Sequence, residues 1–126
     1  MRTILIALLT SFATNAVADP FTVNGNAVLY DTINSEVTEE IDFGHAETLL
    51  EILKGNENIE MLILNSEGGL IEAGYDIADI VIDAELNTHV EFICESACAT
   101  VFLAGNKRSL ELGAKIGFHS SYWAVS

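Results

Sequence analysis

The sequence predicts an α/β domain with a mostly parallel sheet and flanking helices. Segments of strand character alternate with segments of helical character along the chain, a pattern typical of parallel sheets with right-handed crossovers. The stretch "IEMLILNS" at 59–66 is almost continuously apolar and stops abruptly, as expected for a strand buried on both faces. Three polar or glycine-rich segments, "SEGG", "CESAC" and "FHSS", each follow a predicted strand, which is where sites form in such sheets.

Four strands and three helices account for this alternation. The predicted strands are 27–33, 59–66, 88–93 and 114–119, and the predicted helices are 38–56, 70–84 and 96–105.

The first helix has plausible signals at both ends and a weak point between them. Thr38 is a suitable N-cap, and Lys54 followed by Gly55 marks the C-terminus. Gly44 is unfavourable within a helix, which allows a later start. In the second helix, residues recurring at helical spacing predict the buried face. They are Ile71, Tyr75, Ala78 and Ile82.

The first 18 residues have the pattern of a secretory signal peptide. Arg2 gives a positive start, residues 3–13 are mostly apolar, and "AVA" at 16–18 is a small-residue cleavage signal. The apolar stretch is shorter than the roughly 20 residues that a transmembrane helix needs. We therefore expect a signal peptide at 1–18 cleaved after Ala18, a domain at 19–126, a periplasmic or secreted location, and no stable membrane insertion.

The composition is strongly acidic, with 19 acidic and five basic residues and a formal net charge of −14. Phosphate contacts need clustered Lys and Arg, so the composition argues against nucleic-acid binding. Anionic membrane surfaces are disfavoured for the same reason. Half of the residues are hydrophobic, which predicts a folded core rather than a disordered chain.

Cys94 and Cys98 are the two cysteines of the chain. Export would place them in an oxidising compartment, which favours a disulfide between them. Two buried thiols are the alternative, because free cysteine packs like a small hydrophobic residue. A zinc site would need a spacing that this pair does not have, so no metal is expected.

Ser96 lies between these cysteines, at a predicted junction of strand and helix. Serine at such a position commonly caps the helix, and a nucleophile is the other interpretation. A nucleophilic serine needs a base, for which His119 at the end of the last predicted strand is the candidate. It also needs N–H donors for an oxyanion, and the backbone at Gly68, Gly69 and Ala97 is suitably placed in the sequence.

Three segments together resemble the proteolytic subunit of Clp protease, whose fold superfamily also includes the crotonases. "LNSEGGLIEAGYDI" is similar to the family's glycine motif, "CESACATVFLAG" to the segment with the nucleophile, and "AKIGFHSS" to the segment with the histidine. The resemblance runs from about Ala27 to Tyr122. It is greatest for exported bacterial proteins with a Cys-x-Ser-Ala-Cys pattern, in which Arg108 also fits.

The resemblance implies a serine peptidase that needs no cofactor, acts on peptides or proteins and forms homo-oligomers. Ser96 would be the nucleophile and His119 the general base, with the three backbone donors named above forming the oxyanion hole. Lys115 is an alternative base, since exported relatives on this fold use Ser–Lys dyads. The substrate would lie along residues 68–74 as an added strand.

The sequence departs from the family pattern in two respects. The family's third catalytic residue is an acid beyond the histidine, and no acid follows His119 here. We therefore expect a C-terminally truncated domain, and a catalytically inactive binding or assembly module is the alternative function. Glu67 replaces the proline of the glycine motif, which would either disfavour an oxyanion or select a basic substrate.

Crotonase-type acyl-thioester chemistry is a third hypothesis. It needs coenzyme A, whose phosphates require a basic patch that the sequence lacks. The other histidines, His45 and His89, are interpreted as surface or interface residues. Tyr122 and Trp123 are interpreted as packing or interface aromatics.

Overall fold

A seven-stranded mixed sheet forms the centre of the computed structural model, which describes residues 17–118. Three helices accompany it. The strands are β1 Val17–Ala18, β2 Phe21–Asn24, β3 Ala27–Asp31, β4 Met61–Ser66, β5 Asn87–Glu95, β6 Arg108–Leu110 and β7 Lys115–Gly117. The helices are α1 His45–Gly55, α2 Ile71–Asp83 and α3 Ala97–Leu103.

The sheet is parallel at its centre and antiparallel at one edge. The strand order is β1-β2-β3-β4-β5-β6, and only the pairs β1–β2 and β2–β3 are antiparallel. β6 pairs with the first half of β5, and β7 pairs in parallel with its last three residues, Ile93–Glu95. The predicted α/β fold with a mostly parallel sheet is confirmed, and β7 lies beside the carboxyl end of β5.

The core lies on one face of the sheet. Residues in register across β3, β4 and β5 alternate between fully buried rows and half-buried rows, as expected when the helices cover a single face. The buried rows are Val28, Leu62 and Thr88, followed by Tyr30, Leu64 and Val90.

None of the helices between residues 17 and 118 is long and apolar enough to cross a bilayer.

The first helix begins later than the sequence predicts. Residues 38–44 are not helical, because Gly44 adopts a left-handed φ of 93° and Ile41 forms a parallel β-bridge with Gly69. The Thr38 hydroxyl does not cap the helix and instead donates to the carbonyl of Glu40 at 2.8 Å. The predicted start at Thr38 is therefore wrong, and the segment before Gly44 serves the sheet end instead.

The predicted buried face of α2 is also wrong. Ile71, Tyr75 and Ile82 are about half exposed, and only Ala78 of the predicted set is buried. The helix turns a face of smaller residues inward because α3 approaches it closely: a Cβ added at Gly74 would lie 3.1 Å from the Ala97 Cβ. The buried set is Ala73, Gly74, Ile77, Ala78 and Val81.

The antiparallel edge and β6 were missed by the sequence analysis. β2 and β3 form a hairpin in which Asn24 pairs with Ala27 across a two-residue loop, and Gly25 takes a φ of 63°. The Asn-Gly pair flanked by apolar residues was the available signal. β6 consists of three exposed residues, so it has no alternation of burial that a sequence pattern could reveal.

His45 is not a surface residue but the edge of an aromatic cluster that joins α1 to the sheet. Its ring meets the rings of Tyr30 and Phe21 edge-on at 86° and 87°, and those two rings stack with centroids 4.4 Å apart. His45 Nδ1 lies 2.6 Å from the Tyr30 hydroxyl and accepts the Asp42 N–H at 3.2 Å. The other histidine, His89, lies on the half-buried sheet face, within hydrogen-bond distance of side chains on and just after β6.

The hydrogen bonds in this cluster require a neutral His45. Burial raises the pKa of the Tyr30 hydroxyl above its ordinary value, with the nearby Asp42 charge adding to the effect, so the hydroxyl remains a donor to Nδ1. Burial also lowers the pKa of His45, although the charges of Asp42 and Asp19 oppose that shift. An unprotonated Nδ1 can therefore accept both hydrogen bonds.

We expect His45 to make the fold acid-sensitive. Its pKa is lower in the folded than in the unfolded chain, so the unfolded chain takes up a proton first as the pH falls below the ordinary histidine value of about 6.5. The stabilisation that neutral His45 gives is therefore complete above that value and is lost as the pH falls through the folded pKa. Urea unfolding at pH 7.5 and 5.5 should show a larger loss of stability for the wild type than for His45→Gln.

The comparison with His45→Gln removes the contribution of the carboxylates, which titrate in both proteins. At pH 7.5 the variant should be less stable by about 1–2 kcal/mol, because buried hydrogen-bonding groups lose a partner. Equal losses between the two pH values in both proteins would contradict the prediction.

Candidate active site

β5 passes into α3 through a sharp turn at Ser96. The residue has φ 57° and ψ −121°, a positive φ that non-glycine residues rarely adopt. Holding a side chain in such a conformation costs on the order of 1–3 kcal/mol and is found mainly at functional sites. A serine on a strained strand-to-helix turn is the geometry of a nucleophile elbow.

Backbone hydrogen bonds fix Ser96, whereas its hydroxyl has no hydrogen-bond partner among the residues that the structure describes. The Ser96 N–H donates to the carbonyl of Gly117 in β7 at 2.9 Å, and its carbonyl accepts the N–H of Ala99 at 2.9 Å. Within residues 17–118, the Ser96 side chain makes no capping bond to α3. The capping interpretation is therefore not supported. The half-buried hydroxyl is therefore available for another role.

A disulfide encloses the turn. Cys94 in β5 and Cys98 in the first turn of α3 are bonded, with Cα atoms 5.1 Å apart, and both are fully buried. The pair thus ties the end of the strand to the start of the helix on either side of Ser96. Between residues 17 and 118, no group of three or more His, Cys, Asp or Glu residues could hold a metal ion.

The segment Gly68–Leu70, here called the glycine loop, packs directly against the turn. Gly68 has a φ of 103°, and a Cβ added to it would lie 2.8 Å from the Ser96 Cβ and 3.2 Å from the Ala97 nitrogen. Real Cβ atoms do not approach other atoms so closely. The backbone of Gly68 can therefore reach the turn only because it carries no side chain.

The glycine loop leaves one N–H group free next to the turn. The Gly68 N–H donates to the Ser66 hydroxyl at 3.1 Å, and the Ile41 bridge uses the Gly68 carbonyl and the Leu70 N–H. The N–H groups of Gly69 and Ala97 have no acceptor among residues 17–118, and Ala97 is the first residue of α3. These two groups are the donors available to an oxyanion, whereas Gly68 supports the loop.

A pocket of about 230 Å³, lined by both apolar and polar groups, opens beside Ser96. It explains why the bulky residues of α2 face outward: Ile71 and Tyr75 form one wall, and Leu103 and Phe118 are also half exposed or more. Exposed apolar groups gathered in one depression are typical of a binding site. The remaining lining residues are Ala97, Ala99 and Thr100.

The charged residues predicted to affect the site lie at its margin. Glu67 is exposed, so water screens its charge from the free N–H donors. Lys115 is exposed and pairs with Ile93, two residue pairs before the pair Gly117–Glu95 next to Ser96. Arg108 lies in β6 and donates to the carbonyl of Leu103 at 3.2 Å.

Three of the predicted residues lie outside the described residues, namely His119, Tyr122 and Trp123. The structure also limits the proposed substrate edge at 68–74. Since α2 begins at Ile71, only the glycine loop is extended and could pair with an added strand.

Comparison with protein-family models identifies the family of this chain. A Clp protease family model matches residues 16–119, more than four fifths of the sequence. The chain belongs to the Clp protease family. The match includes the glycine loop, the turn at Ser96 and the position of His119. Comparisons with curated proteins and with solved structures give no significant match.

Two buried hydroxyl groups lie beside the site of this Clp protease family member and were not predicted from the sequence. Ser66 ends β4 and Thr32 follows β3, and their side chains are hydrogen-bonded at 2.7 Å. The position of Ser66 at the carboxyl end of a buried strand was the available signal, and Thr32 had none.

Substitution of Gly68 by alanine should disrupt the turn. Gly113 is the matched control, because its φ of 89° is also positive but a Cβ there would meet nothing within 4 Å. We expect Gly68→Ala to lower the free energy of unfolding by about 3 kcal/mol, from backbone strain plus overlap. Gly113→Ala should cost about 1 kcal/mol, from strain alone. Urea unfolding of both variants measures the difference, and equal losses would contradict the close contact described here.

Proposed function

We propose that this member of the Clp protease family is a serine peptidase with Ser96 as its nucleophile. The observation that carries the proposal is the strained turn at Ser96, where within residues 17–118 the hydroxyl makes no capping bond and the N–H groups of Gly69 and Ala97 have no acceptor. Acyl transfer needs this combination of a nucleophile and donors placed where negative charge develops.

In the proposed reaction the Ser96 Oγ attacks the carbonyl carbon of the scissile peptide bond and its proton passes to the base. The carbonyl oxygen becomes an oxyanion, which the N–H groups of Gly69 and Ala97 would stabilise. Collapse of this intermediate breaks the C–N bond, and the leaving amine takes the proton from the base. Water then hydrolyses the acyl-enzyme by the same steps and releases the free Ser96 hydroxyl.

His119 is the proposed base. It is the second residue after Gly117, whose carbonyl binds the Ser96 N–H at 2.9 Å. This position in the sequence, two residues beyond a strand that contacts the turn, supports the proposal. Lys115 is less suited, since the β7 register pairs it with Ile93 and further from Ser96.

The proposed substrate is a peptide or protein segment with a large apolar side chain next to the scissile bond. The pocket beside Ser96 supports this, since Ile71, Tyr75, Leu103 and Phe118 line it. The glycine loop supplies the extended backbone along which such a peptide would lie.

Export and self-association are further parts of the proposal. The buried disulfide is consistent with a periplasmic or secreted location. Cleavage of the proposed signal peptide after Ala18 would remove Val17 and Ala18 of β1 from the sheet edge. Homo-oligomer formation is supported by the exposed Phe92 and Leu112, which line an open depression of about 520 Å³ away from Ser96.

Fluorophosphonate labelling tests the nucleophile. The wild type should form an O–P bond at Ser96 with loss of fluoride, and Ser96→Ala should abolish labelling with little change in the free energy of unfolding. Ser109→Ala, which removes an exposed serine in β6, is the control and should label like the wild type. Labelling that persists in Ser96→Ala would refute the assignment.

A wild-type protein that does not label would favour the inactive binding module. Peptide binding that is equal in the wild type and in Ser96→Ala would then support that function.

The pocket predicts the substrate preference. Leu103 lines it and is 50% exposed, whereas Leu110 in β6 is 48% exposed and lies outside it. For substrates with leucine before the scissile bond, Leu103→Ala should lower kcat/KM about fivefold, corresponding to the loss of about 1 kcal/mol of apolar contact. Leu110→Ala should leave kcat/KM unchanged. Equal effects of the two substitutions would exclude this pocket as the substrate subsite.

A further inference from the structure

Two buried hydroxyl groups lie beside the glycine loop, at the carboxyl ends of neighbouring parallel strands. Ser66 is fully buried at the end of β4, and Thr32, 1% exposed, follows β3. Neither residue lines the pocket beside Ser96, and neither has a part in the reaction proposed above. Buried polar side chains are costly unless their hydrogen bonds are satisfied, so their partners indicate what they stabilise.

The hydrogen bonds of these two residues run toward the glycine loop. The Thr32 hydroxyl donates to the Ser66 Oγ at 2.7 Å, and the Gly68 N–H donates to the same oxygen at 3.1 Å. The Ser66 proton faces the Gly68 carbonyl at the long distance of 3.5 Å. Both lone pairs of the Ser66 oxygen are thereby used, and Gly68 is held by a side chain two residues before it.

Gly68 needs such support because its own backbone is flexible. A glycine at a φ of 103° has many other conformations open to it. Its position also decides where the next N–H points, since Gly69 follows directly and Gly68 lies against Ser96 and Ala97. A rotation at Gly68 would therefore move the Gly69 N–H relative to the Ala97 N–H.

We propose that Ser66, oriented by Thr32, is a positioning residue that holds Gly68 so that the N–H groups of Gly69 and Ala97 converge on one oxyanion. The kinetic consequence of this inference rests on the peptidase function proposed above. Its structural part, the fixed conformation of the glycine loop, can be tested without activity.

The kinetic test uses saturation labelling with a fluorophosphonate probe. This separates the binding constant of the probe from the rate constant of the covalent step. Ser66→Ala and Thr32→Val should lower the rate constant about tenfold to a hundredfold, as expected for misplaced oxyanion donors. The binding constant should change less than twofold, because neither residue lines the pocket. If Ser66→Ala fails to fold, Thr32→Val decides alone.

Two further variants separate positioning from general stability. Thr88 is also fully buried, and its hydroxyl donates to the Phe102 carbonyl at 2.8 Å, far along the sheet from the glycine loop. Thr88→Val should lower the melting temperature about as much as Thr32→Val but leave the covalent rate constant unchanged. Thr32→Ser, which retains the hydroxyl, should restore the rate. A rate lowered equally by Thr32→Val and Thr88→Val would overturn the proposal.

An NMR measurement tests the structural part independently. In Ser66→Ala and Thr32→Val, the Gly68 amide should exchange with solvent at least tenfold faster, and the Gly69 and Ala97 amide signals should shift. Thr88→Val should change none of the three. Unlabelled wild type would overturn the peptidase function alone, and the NMR data would then decide the positioning role. Unchanged exchange and shifts in Ser66→Ala would overturn that role.

Discussion

The close contact between the Gly68 backbone and the turn at Ser96 is the constraint on which the candidate site depends. A Cβ at Gly68 would overlap the Ser96 side chain. The glycine loop and the turn can therefore be in contact only when residue 68 is glycine. Both residues have a positive φ, 103° and 57°. They meet because they follow β4 and β5, which are neighbouring parallel strands whose carboxyl ends lie at one edge.

The strain at Ser96 is sustained by contacts on three sides. β7 binds its N–H through the Gly117 carbonyl, the disulfide joins the residues on either side, and α2 packs against Ala97 through Gly74. These contacts act on the backbone, and between residues 17 and 118 none of them uses the hydroxyl. A rigid turn with a free side chain is what a nucleophile requires, because the reacting atom must be placed before the substrate arrives.

The same arrangement explains an unusual helix. Helix α2 buries Ala73, Gly74 and Ala78 as well as Ile77 and Val81, and α3 approaches it at Gly74 so that Ala97 sits beside the glycine loop. Its large side chains, Ile71 and Tyr75, are thereby left on the outer side, where they form the wall of the pocket. The packing of α2 against α3 thus leaves exposed apolar side chains beside Ser96, where the proposed substrate would bind.

The sequence by itself determined the order of strands and helices and the three polar segments at strand ends, because apolar runs and their stops are local. It thereby also indicated Ser96, Gly69 and Ala97 as neighbours. Only the tertiary structure decided which face of α2 is buried, since the approach of α3 outweighs the helical spacing of large residues. It also decided that the Gly68 N–H binds the Ser66 hydroxyl, which in turn accepts a hydrogen bond from Thr32, 34 positions away in the sequence. Such partners depend on strand register, which no local pattern specifies.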